Sequence, residues 1–131
     1  MSPDLKYLLL STILCFVQML VGGTGANQAV GLPTLAGNRE GLPEIKGWAG
    51  RAKRAHLNMV ENLVLFAALV LIAAAAGKAN AMTAMGAMIF FWGRVAYAVI
   101  YVAGIAWLRT AAWFVSVIGM VLIGIELLKA M

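Results

Sequence analysis

The stretch Gly50-Arg-Ala-Lys-Arg-Ala-His-Leu-Asn-Met-Val-Glu-Asn62 places much of the chain's scarce charge directly before a long apolar run, residues 63–76. Four of its polar residues follow the spacing i, i+3, i+7, i+10, which forms one stripe on a helix. They are Arg51, Arg54, Asn58 and Glu61. Because a polar stripe that enters a membrane helix needs polar partners, we expect these partners on other helices of the chain.

The composition is that of an integral membrane protein. Of 131 residues, 63% are hydrophobic and 11% are charged, whereas a soluble domain has about 45–50% apolar and about 25% charged residues. Several apolar runs are long enough to cross a bilayer, which takes about 17–25 residues. The net charge of +5 fits membrane-flanking loops, and no basic patch interleaved with aromatics indicates nucleic-acid binding. Cys15 is the only cysteine, so an intrachain disulfide is excluded.

The hydropathy pattern predicts an all-α fold: one domain over residues 1–131, built as a four-helix transmembrane bundle. The predicted helices cover about 5–25, 47–76, 81–107 and 111–128. The long polar stretch 31–46 is predicted to be a loop because it contains prolines and several glycines. The short turn 77–80 implies that the second and third helices pack antiparallel. A short connection is expected at Arg109 and Thr110.

The distribution of Lys and Arg predicts the orientation. One membrane face has Lys6, Lys78 and Lys129; the other has Arg39, Lys46, Arg51, Lys53, Arg54 and Arg109. The richer face should be cytoplasmic. The loop between the first and second helices and the loop between the third and fourth would then lie in the cytoplasm, and both termini would lie on the opposite side. We expect the membrane to be a bacterial inner membrane.

Arg94 is the informative residue of the third helix because it lies within a long apolar segment. An unpaired arginine there costs about 2.5–3.5 kcal/mol on insertion scales, so it should face the bundle interior and find a counter-charge. The polar residues of the second and third helices have mirrored spacings, so antiparallel packing predicts three side-chain contacts at successive depths in the membrane. They are Glu61 with Arg94, Asn58 with Tyr97, and Arg54 with Tyr101. The result would be a polar cleft that opens toward the cytoplasm.

Two interpretations of this cleft remain open. It could be an interhelical network that only fixes packing. Alternatively, the excess of arginine over the single carboxylate favours an anionic ligand. His56 points to the opposite face of the helix and is interpreted as a packing or interface residue. No second His or Cys lies at metal-ligand spacing, so no metal site is predicted.

The chain resembles the MAPEG family, the membrane-associated proteins in eicosanoid and glutathione metabolism. The stretch from Arg51 to Asn62 is similar to the family's R-x-x-R-A-H-x-N-x-x-E-N signature, and Gly93-Arg-Val-Ala-Tyr97 with Tyr101 also fits. The resemblance implies a homotrimer that binds glutathione between neighbouring subunits at the cytoplasmic side. The implied glutathione contacts are Arg51, Arg54, Asn58, Glu61, Arg94, Tyr97 and Tyr101. Arg109 is the nearest match to the arginine that stabilises the glutathione thiolate.

The resemblance implies a glutathione-dependent transferase or peroxidase that attacks lipophilic electrophiles or hydroperoxides. Its partners would be two further copies of the chain in a homotrimer, glutathione, a lipophilic small molecule and membrane lipids. The alternative is a non-catalytic membrane protein whose cationic cleft binds an anionic lipid or a partner. A small transporter or channel subunit is less favoured, because the polar stripe occupies only half of the membrane.

Overall fold

The chain forms five helices in the computed structural model, which describes all of residues 1–131. They are α1 (Pro3–Val30), α2 (Leu32–Ala36), α3 (Gly47–Ala75), α4 (Ala81–Ala103) and α5 (Ala106–Lys129). The helices α1, α3, α4 and α5 are each long and apolar enough to cross a membrane. The predicted all-α bundle of four membrane helices is therefore confirmed, and the chain is an integral multi-pass membrane protein.

The first helix is longer than predicted. It begins after Ser2, whose side chain accepts a hydrogen bond from the Leu5 backbone, and it continues to Val30. It ends where Gly31 adopts a positive φ of 84°, a conformation that favours glycine. The short helix α2 follows inside the stretch that was predicted to be a loop. The polar connection between α1 and α3 is thus partly helical.

The turn between α3 and α4 fixes the register of these two helices. Asn80 accepts hydrogen bonds from the Met82 and Thr83 backbone amides, and the Thr83 hydroxyl accepts one from the Asn80 backbone. This reciprocal arrangement is a capping box, which satisfies N–H groups that the first helical turn leaves free. The Asn80 side chain also donates to Glu126 Oε2 at 3.0 Å. The turn is therefore bound to the end of α5 as well.

The break between α4 and α5 lies earlier than predicted. The prediction placed it at Arg109 and Thr110, but α4 ends at Ala103, and Gly104 adopts a left-handed conformation with φ 85°. The backbone amides of Gly104 and Ile105 both donate to the carbonyl of Ile100, which closes the helix end. Because α5 begins at Ala106, Arg109 lies on the first turns of that helix and not in a connection.

Small residues allow α4 and α5 to pack closely. A methyl group placed on Gly86 would lie 2.6 Å from the Gly119 carbonyl oxygen, and one on Gly93 would lie 2.9 Å from the Ser116 nitrogen. Close backbone approach through small residues is the usual packing mode of membrane helices. Phe66 of α3 stacks on a phenylalanine of α4 at 3.9 Å between ring centroids. This apolar contact lies in the larger hydrophobic core of the bundle.

Candidate functional site

The rotation of α3 about its axis decides which of its polar residues face the bundle. Its buried side includes Ala55, Met59 and Asn62. At about 100° per residue, Asn58 lies about 60° from the direction of Ala55, and Glu61 lies about 120° from it. Asn58 is accordingly half-buried, whereas Glu61 is exposed on the surface of the subunit.

Arg94 is buried in the bundle with only 1% of its surface exposed. Its Nη2 donates to Asn58 Oδ1 at 2.9 Å, and its guanidinium lies 4.2 Å from the centroid of the Tyr97 ring. Its Nε and Nη1 have no hydrogen-bond partner. A cation in this position is held by one amide oxygen and one aromatic face, so part of its hydrogen-bonding capacity stays free.

The predicted pairing of Glu61 with Arg94 is wrong. The only ion pair in the structure joins Lys129 to Glu126, at 2.8 Å, and the side chain of Glu61 makes no hydrogen bond. The contact of Asn58 is also different, because it binds Arg94 and not Tyr97. The matched spacing predicts which residues lie at the same depth, but it contains no information on the rotation of α3 about its axis. That rotation turns Glu61 away from Arg94.

The predicted contact between Arg54 and Tyr101 is present. Arg54 Nε donates to the Tyr101 hydroxyl at 3.1 Å. Arg109 of α5 lies against the same ring, with 4.5 Å from its guanidinium carbon to the ring centroid. Tyr101 in turn packs edge-on against Tyr97, with 5.5 Å between centroids. Together, these residues form what we call the arginine–tyrosine cluster: Arg54, Arg94, Arg109, Tyr97 and Tyr101.

Arg51 lies beside this cluster and is bound to the backbone. Its Nε donates to the Val102 carbonyl at 2.9 Å, at the end of α4. A methyl group on Gly104 would lie 3.5 Å from the same Nε. Arg51 therefore holds the α4–α5 turn in place, and through that turn it fixes where α5 presents Arg109.

The structure also reveals polar residues that the sequence reasoning left unassigned. Asn62 is buried and donates to the backbone oxygen and to Oδ1 of Asn58, which orients the amide that binds Arg94. Along α1, the buried polar residues Asp4, Ser11 and Gln18 recur every seven residues. That spacing in an apolar helix was a visible signal for a buried stripe.

The chemistry of the site follows from its charges. The cluster and the adjacent Arg51 bring four guanidinium groups to one end of the bundle, and none of them is paired with a carboxylate. Such groups bind carboxylates and phosphates through charge-assisted hydrogen bonds. No group of three or more His, Cys, Asp or Glu residues in the structure could hold a metal ion. The site is suited to binding an anion.

The fold and this site define a polytopic membrane protein with an arginine-rich polar cluster at one end of a four-helix bundle. The model of the MAPEG family matches residues 5–129, and the chain belongs to that family. The family includes glutathione-dependent transferases and peroxidases as well as non-catalytic members. A comparison with individual curated proteins gave no match.

Proposed function

We propose that this protein is a glutathione-dependent membrane transferase or peroxidase that acts on lipophilic electrophiles or hydroperoxides. The observation that carries the proposal is the unneutralised positive charge of the arginine–tyrosine cluster. Its three arginines contact amide, hydroxyl and aromatic groups of the protein, and none of them contacts a carboxylate. Family membership supports glutathione as the anion.

Glutathione matches the charges that the site offers. It has two carboxylates, which arginine side chains can bind by charge-assisted hydrogen bonds. It also has one ammonium group, and Glu61 is an exposed carboxylate on the same helix as Arg54 with no partner of its own. The rotation that removes Glu61 from Arg94 thus leaves it free to bind a cationic group of a ligand.

Arg109 is the residue we assign to the thiol. A free thiol with a pKa of about 8.5 is mostly protonated at pH 7. A nearby guanidinium favours the thiolate, which is the nucleophilic form. In the transferase reaction the sulfur would form a bond to the electrophilic carbon while the bond to the leaving group breaks. The thiol proton would pass to solvent.

The exposed position of the site supports a location at the boundary between two subunits. Arg54 and Glu61 are exposed in a single subunit, so a ligand bound to both would remain partly open to its surroundings. A neighbouring copy could close this side, and the trimer typical of the family supplies one. A lipophilic substrate could then reach the thiolate from the bilayer.

The direct test is glutathione conjugation to a generic aromatic halide by the purified protein in detergent. We expect activity in the wild type and a loss of at least about a hundredfold in kcat for Arg109→Ala, since removing one preorganised electrostatic group costs about 10²–10³. Isothermal titration should show that Arg109→Ala still binds glutathione. Arg54→Ala and Glu61→Gln should weaken that binding.

Lys78→Ala is the matched control, because it removes a cation at the turn between α3 and α4, at the opposite end of the bundle. It should leave both glutathione binding and conjugation unchanged. If glutathione neither binds to the wild type nor raises its melting temperature, the proposal is wrong. Co-purification of an anionic lipid under those conditions would favour a non-catalytic lipid-binding protein.

A further inference from the structure

The carbonyl groups at the end of α4 need hydrogen-bond donors from outside the helix, because the last four carbonyls of an α-helix have no partner within it. The Ile100 carbonyl accepts the backbone amides of Gly104 and Ile105. The Val102 carbonyl receives no backbone donor. Its partner is Arg51 of α3, whose Nε donates to it at 2.9 Å. Arg51 therefore caps α4 from a neighbouring helix, at the end where the helix dipole favours a cation.

Little else holds the link between α4 and α5, which consists of Gly104 and Ile105. Residues 103–108 are all exposed. The N-terminus of α5 has no side-chain cap, because Ile105 occupies the capping position. Arg51 also lies against the link, since a methyl group on Gly104 would lie 3.5 Å from its Nε and 3.6 Å from its Cζ. Its bond to Val102 is the only hydrogen bond that joins residues 102–108 to α1 or α3.

The link determines where α5 presents Arg109. This residue lies on the first turn of α5, and its backbone amide donates to the Ile105 carbonyl at 3.2 Å. Its side chain is half-buried, although the residues on both sides of it are exposed. A shift of the link would move this first turn, and with it the guanidinium that lies 4.5 Å from the Tyr101 ring centroid.

We propose that Arg51 is a positioning residue for Arg109 and that its own charge makes no contact with glutathione. The effect on the reaction rests on the proposed function, whereas the capping contact does not depend on glutathione. Two observations separate Arg51 from the arginine–tyrosine cluster. Its Nε is bound to the backbone, and its guanidinium lies over no tyrosine ring, unlike those of Arg54, Arg94 and Arg109.

Two substitutions of equal side-chain length separate the hydrogen bond from the charge. In Arg51→Gln the amide nitrogen lies as far along the side chain as Nε does in arginine, so it can still donate to the Val102 carbonyl. Arg51→Met has a methyl group at that position and no donor. Both variants remove the positive charge. Lys53→Met is the matched control, because it removes an exposed cation of the same helix that has no ion pair.

The first measurement is hydrogen–deuterium exchange of the purified full chain in detergent, without glutathione. The readout is the peptide that contains Gly104 and Ile105. Arg51→Met should raise its exchange rate about fivefold, as expected for the loss of one hydrogen bond. Arg51→Gln and Lys53→Met should keep the wild-type rate. Unchanged exchange in Arg51→Met would overturn the proposal whether or not glutathione binds.

The second measurement is glutathione conjugation together with titration calorimetry. A misplacement of about 1 Å can cost about a hundredfold in rate, so a partial shift of Arg109 in Arg51→Met should lower kcat about tenfold. The ultraviolet absorbance of the bound thiolate should fall as well, while the Kd for glutathione stays unchanged. Arg51→Gln should restore both kcat and the thiolate absorbance, which a contact that depends on charge would not allow.

Two results would separate this inference from the proposed function. An equal loss of glutathione affinity in Arg51→Gln and Arg51→Met would assign Arg51 to the ligand and overturn the inference, while glutathione binding itself would stand. A wild type that neither binds nor conjugates glutathione would refute the proposed function, and the exchange rates would still decide whether Arg51 holds the link. Arg51→Gln keeps the test decisive if Arg51→Met folds poorly, because only a ligand contact predicts that it loses glutathione affinity.

Discussion

The hydrogen bond between Arg94 and Asn58 should give a measurable coupling energy between these two residues in a double-mutant cycle. Arg94 is almost fully buried, and Asn58 Oδ1 is its only hydrogen-bond acceptor in the protein. Asn58→Leu therefore leaves the guanidinium with no acceptor. Arg94→Met removes the guanidinium, including the two groups that already lack partners, and should cost less.

The expected coupling energy follows from the hydrogen-bond contributions that are typical of proteins in general and of membrane helices in particular. Hydrogen bonds to charged groups contribute about 1.5–3 kcal/mol in proteins generally. Interhelical hydrogen bonds in membranes average about 0.6 and reach about 1.7 kcal/mol. Because Arg94 has no alternative acceptor, we expect a coupling energy near the upper membrane value, about 1.5 kcal/mol. This corresponds to about a tenfold change in the folding equilibrium.

The other partner of Asn58 should not disturb the cycle. Asn62 donates to Asn58 Oδ1 at 3.2 Å, but its Nδ2 also donates to the Asn58 backbone oxygen at 2.8 Å. That second bond survives Asn58→Leu, so Asn62 keeps an acceptor in every variant. The coupling energy then reports the bond to Arg94.

The assay is equilibrium unfolding in mixed micelles, followed by tryptophan fluorescence, for wild type, Asn58→Leu, Arg94→Met and the double variant. Asn27→Leu is the matched control, because Asn27 is exposed near the end of α1. Its cycle with Arg94→Met should give a coupling energy near zero. A coupling energy for Asn58 no larger than that of the control would refute the assigned contact.

Three further changes test other parts of the structure. Gly119→Ala places a methyl group 2.5 Å from a carbonyl oxygen of α4 and should lower the free energy of unfolding by about 1–3 kcal/mol. Gly124 has open space around it, so Gly124→Ala is the control. In the same melting experiment it should leave the melting temperature unchanged or raise it. Gly104→Ala should lower the free energy of unfolding by about 1–2 kcal/mol, because Gly104 has a left-handed φ. Gly23 lies in a helix with no neighbour within 4 Å, so Gly23→Ala should instead raise the melting temperature. Tyr101→Phe removes the hydroxyl that binds an arginine at 3.1 Å; we expect stability to change by less than about 1 kcal/mol and glutathione affinity to fall in titration calorimetry.

The sequence was sufficient to predict the number and type of the membrane helices. Apolar runs of bilayer-spanning length and the turn at residues 77–80 carry that information without any knowledge of packing. The helix break at Gly104 was missed because apolar residues continue on both sides of it. The glycine itself was the signal, since a left-handed residue commonly closes a helix.

The contacts of the site were predictable only where long side chains meet at the same depth. Arg54 reaches Tyr101 as the mirrored spacing indicated. The partner of Arg94 depended on the rotation of α3, which is set by how that helix packs on the other three. A comparison of two spacings contains no such information. Gln18 was missed although a signal was present: Asp4, Ser11 and Gln18 recur every seven residues along α1 and are all buried.

The separation of Glu61 from Arg94 bears on the choice between a packing network and a ligand site. A network that served only to fix the helices would be most stable with the buried cation and the nearby carboxylate in contact, because a buried charge without its partner is costly. The structure instead keeps Arg94 inside, with the nitrogens Nε and Nη1 unbound, and Glu61 outside, with no side-chain partner. A ligand with charges of both signs could bind Glu61 with its cationic group and the exposed Arg54 with its anionic group. This arrangement is easier to explain as a binding site for a zwitterion than as an element of packing.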